Sequence, residues 1–522
     1  MKKIYIIAFV ALLLGSCSKE SLKLYNPNES GSESIKTEAG MQKFALGVYH
    51  PMRTAYYAWL SLTLHNLMGD ATTAHAGNFS FWHSNSIYSI TRPNGTVLST
   101  PFGKTQIEVL KSRNTREQGI ENAFHNEWVA MYGTIGHCNM ALKTLDANEV
   151  TFKDNAEVKK KAYKVWFLWW KGFAYSRIGS LYTKGVITNE YNSLNTYHSH
   201  EEIITEANRV FAEAKAILAT INESDAAYQE VIGSIIPSQF KVGKGGVVTP
   251  QMFIRNINTY MARNLLVNKY AANLTPADLT EIQNLANAGI RESDKIFTMR
   301  SVANDNVCFV GGTGWSPYRL VTGIWEHLSE RLVQDFKPGD NRFTRNVESR
   351  PLLFNPRDRG FGIGTRYIAK DGGDYASSTA GTVELPFAGS YEENQLMLAE
   401  VKIRNNDIEG GLAHIDAVRT YQNAQLAAVA GTGLNQAQAL EELRKERRIG
   451  LFQKGTAFYD ARRWGILKPV SQGGGRRNAN VVVEANGTVV VEANGTVEPC
   501  TIDYQYIEWF DVPAAETDFN KI

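Results

Sequence analysis

The sequence is poor in the features that mark disulfide-rich, metal-binding and nucleic-acid-binding proteins. Its 522 residues contain only four cysteines, and no two of them are spaced as CxxC. We therefore expect neither a disulfide framework nor a zinc site. The 55 basic and 53 acidic residues give a formal charge of +2. A chain so close to neutrality lacks the basic field that attracts nucleic acid.

The apolar run at the N-terminus is too short to cross a bilayer. In MKKIYIIAFVALLLGSC it extends from Ile4 to Leu14, which is 11 residues, whereas a spanning helix needs about 20. Two lysines before it and small residues after it are typical of a secretory signal peptide. Leu14-Gly15-Ser16-Cys17 also resembles the lipobox of bacterial lipoproteins, in which cleavage leaves a diacylated cysteine as the first residue. The alternative is an ordinary signal peptide with an incidental cysteine.

Removal of residues 1–16 takes away two lysines and no acid, so the mature chain has a formal charge of zero. Residues 17–35 are polar, and we expect them to form a flexible, lipidated tether. No long Pro-, Gly- or Ser-rich linker divides the remainder. We therefore predict one domain over residues 36–522.

Motifs of common enzymes are also missing. His198 and His200 lie in HSHEE, which lacks the HExxH spacing that places two metal ligands on one helical face. A solvated helix start is the favoured interpretation. KVGKGGVVTP, which contains Lys244, is not a phosphate-binding GxxxxGK[ST] loop, and no GxSxG motif occurs. A glycosidase carboxylate pair stays open at this point, because only its spatial separation would identify it. We expect no enzyme, no catalytic residue, no cofactor and no metal site.

Helical periodicity dominates the rest of the chain. In the segment that contains KAYKVWFLWWKGFAYSRIGSLY, apolar residues recur at helical spacing from Tyr163 to Ile178, with lysines on the opposite side. This pattern predicts an amphipathic helix with an aromatic buried stripe. Similar segments come in pairs joined by polar turns. The predicted fold class is all-α, with tetratricopeptide-like helix pairs.

Three segments, residues 65–115, 296–325 and 340–385, show no such periodicity and are rich in Gly, Asn, Ser, Thr and aromatics. Long irregular loops inside a compact domain are often functional. Residues 482–497 repeat VVEANGTV twice. Asn-Gly between valine runs predicts a small β-hairpin insertion.

An arginine-rich stretch near the C-terminus allows two interpretations. In LEELRKERRIGLFQKGTAFYDARRWG the guanidinium groups could bind phosphate, or they could form buried ion pairs with the acids among them. Arg447, Arg448 and Arg463 alternate with Glu446 and Asp460 on a segment that also carries apolar residues. We therefore interpret the stretch as a structural scaffold.

Several motifs together resemble the SusD/RagB family of outer-membrane nutrient-binding lipoproteins of Bacteroidetes. ENQLMLAEVKIRNNDIEGGLAHIDAVR looks like the helix pair of that family, and ELRKERRIGLFQKGTAFYDARRWG resembles its ERRxELxxEGxRxxDLxRWG pattern. WFDVPAAETDFN is similar to its C-terminal segment. The sequence departs from the pattern at Gly450 and Lys454, where the family has glutamates, and at Ala457, where it has arginine. We interpret these departures as the replacement of an ion pair.

The resemblance implies a function as well as a fold. Members of the family bind a glycan at the cell surface and deliver it to a SusC-like TonB-dependent outer-membrane transporter. By this resemblance the protein is a surface-exposed, lipid-anchored glycan-binding protein of the outer membrane, attached through Cys17. A peptide-binding receptor of the RagB type on the same fold is the alternative, and a secreted hydrolase is disfavoured by the missing motifs.

Two loops carry the combination of aromatic and amide side chains that sugar binding requires. The first, GDATTAHAGNFSFWHSNSIY, offers Asn78, Phe79 and Trp82. The second, FVGGTGWSPYRL, offers Trp315, Tyr318 and Arg319. In each case the alternative is that the ring anchors the loop to the body. We name these six residues as the candidate glycan contacts.

Overall fold

The structure, a computed structural model, describes residues 32–51, 60–74, 77–100, 103–190, 196–300, 326–353, 363–379, 381–483 and 496–521. This part of the chain is predominantly helical, as predicted, and it also carries several small sheets. The predicted signal peptide, Cys17 and most of the tether lie outside the described residues. Ile35 is already buried in the main core, so the folded body begins before residue 36.

The α-helices have the following bounds: α1 Glu38–Leu46, α2 Leu62–Met68, α3 Phe81–Ser84, α4 Gln106–Ser112, α5 His125–Asp146, α6 Ala156–Leu181, α7 His200–Leu218, α8 Ala226–Ile235, α9 Pro250–Val267, α10 Pro276–Asn287, α11 Glu330–Asp335, α12 Asn341–Asn346, α13 Tyr391–Arg404, α14 Ile408–Tyr421, α15 Gln436–Gly450, α16 Ala457–Arg463 and α17 Ala514–Thr517. The strands are β1 Thr72–Ala74, β2 Ser89–Thr91, β3 Val97–Ser99, β4 Lys184–Val186, β5 Tyr197–Ser199, β6 Thr298–Met299, β7 Glu326–Leu328, β8 Val347–Leu353, β9 Thr365–Ala369, β10 Leu385–Pro386, β11 Arg476–Val483 and β12 Thr496–Asp503.

Helix α6 is the centre of the main core. Its 26 residues pack against α5, α7, α8 and α9. The predicted aromatic stripe is buried, and so are the remaining positions from Ala162 onward except Lys164. Trp166, Trp169 and Trp170 are each fully buried. A helix that is buried on all sides needs no polar face, which explains why the expected amphipathic pattern is confined to its first turns.

Consecutive helices pack as pairs. Contacts are extensive between α5 and α6, α6 and α7, α9 and α10, and α13 and α14. A second, smaller core lies where α13, α14 and α15 meet, and includes Leu396, Leu412 and Leu443. The helix starts are fixed by side chains, because the first backbone N–H groups of a helix need acceptors. For α7, the Ser199 hydroxyl and the Glu202 carboxylate form a capping box, which confirms HSHEE as a helix start.

Small antiparallel sheets occupy the segments between the helices. One sheet has the strand order β1-β7-β9-β8, with Thr72 paired to Leu328. The second has the order β11-β12-β2-β3, with Thr501 paired to Thr91. Much of the segments predicted to be irregular loops thus belongs to short strands and helices, because tertiary pairing orders them without a local periodic signal.

The predicted hairpin around the VVEANGTV repeat has its two arms in β11 and β12. Val482 pairs with Val497, and Val483 with Thr496. Both Asn-Gly turn signals lie outside the described residues. Because β12 also pairs with β2, the arms are an integral part of a sheet and do not form a separate insertion. Within the described residues, no helix is both long and apolar enough to cross a membrane.

Candidate functional site

The first predicted loop is held firmly onto the body of the protein. It contains a turn at Asn78–Ser80, in which Phe79 and Ser80 take left-handed backbone angles, φ of 57° and 60°. The backbone N–H of Phe79 donates to the Glu121 carboxylate at 2.7 Å, and the Ser80 hydroxyl donates to the Glu121 carbonyl. These bonds fix Asn78 in an exposed position and leave Phe79 half-buried.

Trp82 differs from the prediction. It lies on the single turn of α3 and is only 3% exposed, within the main core. The left-handed turn before α3 directs this ring inward, and that turn has no signature in the sequence. Trp82 therefore anchors the loop and offers no stacking face to solvent. Of the predicted contacts in this loop, Asn78 and Phe79 are accessible.

The second predicted loop, with Trp315, Tyr318 and Arg319, lies outside the described residues, as does Cys17. Their assignment stays a prediction from the sequence.

Asn85 fixes the end of the first loop. Its Oδ1 accepts from the backbone N–H of Ala74 at 2.9 Å, and its Nδ2 donates to the Leu67 carbonyl at 3.1 Å. These bonds join the loop to α2 and β1. Buried amides that are bonded on both sides define one local geometry, so we interpret Asn85 as a positioning residue.

A carboxyl group that sequence reasoning missed lies on the strand next to β1. Glu326 of β7 accepts hydrogen bonds from the hydroxyls of Thr63, at 2.9 Å, and Thr72, at 2.5 Å. Desolvation raises the pKa of Glu326 to about 8 in spite of these bonds. At neutral pH the group is therefore mostly protonated. A protonated carboxyl can both donate and accept a hydrogen bond, which suits the two threonine hydroxyls beside it.

Beneath this region, α2 contributes His65 to a buried cluster of ionisable groups. Arg177 donates to Glu127 at 2.6 Å and to His65 Nε2 at 2.9 Å. Because a guanidinium only donates, His65 Nε2 accepts and the ring is neutral. Burial and the charge of Arg177 lower the pKa of His65 to about 4. Burial alone would raise the pKa of Glu127, but the charge of Arg177 lowers it to about 2.

The arginine-rich stretch is a scaffold, as predicted. Arg463 binds Glu400 through two bonds of 2.8 and 2.7 Å, and its Nε donates to Asp460 at 2.7 Å. Arg447 donates to the other oxygen of Asp460 at 2.9 Å. All four side chains are at most 4% exposed, so they do not face a ligand in solution.

Arg448 connects this scaffold to the start of the first loop. Its Nη1 and Nη2 donate to the carbonyls of Gly69 and Asp70, both at 2.8 Å, and its Nε donates to Asp335 at 2.6 Å. Gly69 and Asp70 lie between α2 and β1. The C-terminal motif therefore positions the backbone that leads into the loop.

A polar cavity of about 600 Å³ lies among the C-terminal ends of α14 and α15, the start of α13 and three loops. We call it the Glu392 cavity; the residues on its wall that matter here are Lys244, Glu392, Tyr421, Gln422, Gly450 and Lys454.

Glu392 is 2% exposed. Its Oε1 lies 3.3 Å from Lys244 Nζ and 3.4 Å from Lys454 Nζ, and it accepts from Gln422 Nε2 at 3.2 Å. Burial alone would raise the pKa of Glu392, but Lys454 and Lys244 lower it to about 2. The group is thus a carboxylate at any physiological pH.

Two of these residues are positions at which the sequence departs from the family pattern. Lys454 pairs with Glu392. Gly450 is the last residue of α15, so its carbonyl has no partner within the helix. It accepts from Gln422 Nε2, at 2.9 Å, and from Lys454 Nζ, at 3.0 Å. The sequence drew attention to Gly450 and Lys454, whereas Lys244 and Glu392 carried no signal. The replacement of a family ion pair stays an interpretation from the sequence. Among the described residues, no group of three or more His, Cys, Asp and Glu side chains is arranged to hold a metal ion.

Comparisons with known proteins agree with this architecture. Residues 391–521 match the SusD family model. A SusD superfamily protein from Bacteroides thetaiotaomicron is 13% identical with a TM-score of 0.56, and the match covers 93% of this chain and 98% of that one. A SusD-like carbohydrate-binding protein from Bacteroides vulgatus is 13% identical with a TM-score of 0.52. That match covers 91% of this chain and 92% of the other.

Surface glycan-binding protein A from Bacteroides uniformis is 14% identical with a TM-score of 0.51, over 82% of this chain and 88% of its own. No curated protein matches the sequence. The structural likenesses show a shared fold, and the family model matches the segment that contains the α13–α14 pair, the arginine scaffold and the C-terminal motif. Residues 391–521 thus match the SusD family, and the fold of most of the chain is similar to that of SusD superfamily structures.

Proposed function

We propose that this protein is a non-catalytic glycan-binding lipoprotein of the outer-membrane surface. In this role it captures an oligosaccharide or polysaccharide and delivers it to a SusC-like TonB-dependent transporter. The observation that carries the proposal is the family match over residues 391–521. The motif at Cys17 supports attachment by a lipid, with residues 1–16 as the signal peptide and the single domain held off the membrane by the tether.

The first loop supports a glycan face. Sugars present apolar C–H faces beside hydroxyl groups, so their sites combine a ring with amide or carboxyl groups. Asn78 is exposed and Phe79 half-buried on a turn that is fixed by Glu121. We include Trp315, Tyr318 and Arg319 of the second loop in the same proposed site, with the ring of Trp315 as the stacking platform.

Affinity electrophoresis of the mature protein against a panel of polysaccharides tests the proposal. We expect retardation by one glycan or a small group of related glycans, and no release of products. Phe79→Ala should weaken the retardation. Phe152→Ala, which removes another half-buried ring from the segment before α6, should not.

Other outcomes would contradict the proposal in distinct ways. Binding of peptide pools without any glycan would favour a RagB-type peptide receptor on the same fold. Release of shorter sugars would identify a hydrolase. Equal weakening by Phe79→Ala and Phe152→Ala would show that the first loop is not the glycan face.

A further inference from the structure

The Glu392 cavity contains a buried carboxylate oxygen that lacks a hydrogen-bond partner. Glu392 Oε1 has Lys244, Lys454 and Gln422 around it, whereas Oε2 has no hydrogen-bond partner. An ionised carboxylate only accepts hydrogen bonds. A buried acceptor without a donor is unfavourable. Whatever completes the site must therefore bring a donor to Oε2, which means a hydroxyl group, an ammonium group or water.

The charges around the cavity exclude the ammonium group. Elsewhere on its wall, Arg300 pairs with Glu384 at 3.2 Å, and Arg345 pairs with Asp374 at 2.7 Å. Glu392, by contrast, is shared by two lysines.

A fifth cation on the wall is already neutralised. Arg342 is held by Asp340, at 2.8 Å, and by Glu446, at 2.5 Å. Glu446 is itself shared with Arg419, at 2.9 Å, so two cations balance two carboxylates there. Among these groups only that of Glu392 has a cation in excess. A cation in excess inside a half-enclosed site attracts an anion and repels a second ammonium group.

The size and shape of the cavity suit a small, hydroxyl-rich molecule. Its volume of about 600 Å³ falls within the range of small-molecule sites. Gly450 forms part of the wall, and a Cβ there would lie 3.2 Å from Glu446 Oε1 and 3.5 Å from Gln422 Oε1. Tyr421 adds a half-buried ring, which lies 4.1 Å from Lys244 Nζ.

We propose that the Glu392 cavity is a binding site for a sugar acid, a ligand that carries hydroxyl groups and a carboxylate on one small ring. A hydroxyl of the ligand donates to Glu392 Oε2. The ligand carboxylate takes the place of the missing anion beside Lys244 and Lys454. The site is separate from the proposed glycan face at the first loop and does not depend on it.

Three ring compounds of similar size separate the two requirements. D-Galacturonate has both hydroxyls and a carboxylate, D-galactose lacks the carboxylate, and cyclohexanecarboxylate lacks the hydroxyls. Titration calorimetry of the mature protein should detect galacturonate binding at millimolar or lower concentration. We expect each of the other two compounds to bind at least tenfold more weakly, because each leaves one charged group of the site without its partner.

Lys244→Gln is the informative variant. It removes the cation in excess and leaves Lys454 and Gln422 to satisfy Glu392 Oε1, so the fold should be preserved. We expect it to weaken galacturonate binding about tenfold or more, since charge-assisted bonds have roughly that effect. Lys402→Gln is the matched control. It removes a lysine from the far end of α13, where Lys402 pairs with Asp407 at 2.7 Å, and it should leave binding unchanged.

Several outcomes would overturn the proposal. If no compound binds, Glu392 Oε2 is simply hydrated. If galactose binds as well as galacturonate, the charge argument is wrong, and if cyclohexanecarboxylate does, the hydroxyl argument is wrong. If Phe79→Ala abolishes galacturonate binding and Lys244→Gln does not, the acid binds at the first loop instead. Polysaccharide retardation that persists in Lys244→Gln would leave the proposed function intact whatever happens at this cavity.

Discussion

Arg463 and Glu400 face each other through two parallel hydrogen bonds of 2.8 and 2.7 Å, and neither side chain is exposed to solvent. The pair joins α16 to α13. Such a bidentate pair fixes the relative position of two elements because both bonds must form together. The pair determines the relative position of the helices more than it adds net stability. Both charges are well hydrated in the unfolded chain, and burial removes that hydration.

Arg463→Ala should therefore lower the free energy of unfolding by about 3–5 kcal/mol, because it leaves Glu400 and Asp460 buried without this cation. Arg404→Ala is the matched control. Arg404 also binds Glu400 at 2.9 Å but is 20% exposed, so its loss should cost roughly 1 kcal/mol or less. Urea denaturation of both variants measures the difference. Equal effects would show that burial of the Arg463 pair has no special importance.

Two buried tryptophans and the half-buried Phe79 should respond to substitution in opposite ways. Trp170 is fully buried in α6, so Trp170→Ala should cost about 3–5 kcal/mol of stability. Trp82→Ala should behave in the same way, since that ring is only 3% exposed. Phe79→Ala should leave the melting temperature almost unchanged while it weakens glycan binding several-fold, up to about tenfold. Thermal melts and binding titrations of the three variants test these expectations. If Trp82→Ala melts like wild type, Trp82 is again a candidate ligand contact.

Stability should decrease in mild acid because of His65. Its pKa is about 4 in the folded protein and about 6.5 in the unfolded chain. Between these values the unfolded state binds a proton that the folded state does not, so the free energy of unfolding falls as the pH drops from 6.5 to 4. The two pKa values correspond to roughly 3 kcal/mol.

His65→Gln should reduce this dependence, since an amide oxygen can still accept from Arg177. His137, whose pKa burial lowers to about 4, should account for part of what remains. His198→Gln, in β5 just before α7 and only partly buried, serves as the control. Denaturant midpoints measured from pH 4 to pH 8 provide the comparison, and an unchanged slope in His65→Gln would contradict the assignment.

Titration of Glu326 should change the pH dependence of stability in the direction opposite to that of His65. Its pKa is about 8 in the folded protein and about 4.3 in the unfolded chain, so the folded state retains a proton that the unfolded state loses. The free energy of unfolding then decreases as the pH rises through this window. Glu326→Gln should be about as stable as wild type near pH 4.5. At pH 8 its free energy of unfolding should exceed that of wild type by up to about 5 kcal/mol. A constant difference at both pH values would argue against a protonated Glu326.

Attachment to the membrane should depend on Cys17. Cys17→Ala removes the residue that the lipobox would acylate, and we expect the variant to leave the membrane fraction, because the acyl chains supply the affinity for lipid. Fractionation of cells that express wild type and variant gives the comparison, with Cys138→Ala as the control for loss of a thiol that is buried in the core. Retention of Cys17→Ala in the membrane fraction would refute lipid anchoring through this residue.

Periodicity was sufficient to predict the helices but not the surface of the protein. The segment around Trp170 predicted α6 correctly because its apolar residues recur at helical spacing. Trp82 was predicted wrongly because its orientation depends on two left-handed residues, Phe79 and Ser80, and neither is a glycine. Local sequence gives no warning of such a turn.

The Glu392 cavity was beyond sequence reasoning for a different reason. Lys244 is 148 residues from Glu392, and Lys454 is 62 residues from it. Only Lys454 stood out, as a departure from a family pattern. Charges that are so far apart in sequence acquire meaning only when the helix packing brings them together, which no spacing rule anticipates.

The pairing of β2 with β12 constrains how the chain can fold. Thr91 is paired with Thr501, and Arg92 binds Glu498, a partner 406 residues further along the chain, at 2.6 and 2.9 Å. Contacts of such high sequence separation form late, because a long loop must close before they can be made. The hairpin that follows the first loop therefore keeps an open strand edge until almost the whole polypeptide has been synthesised. Chains that are truncated near the C-terminus should be prone to aggregate through that edge.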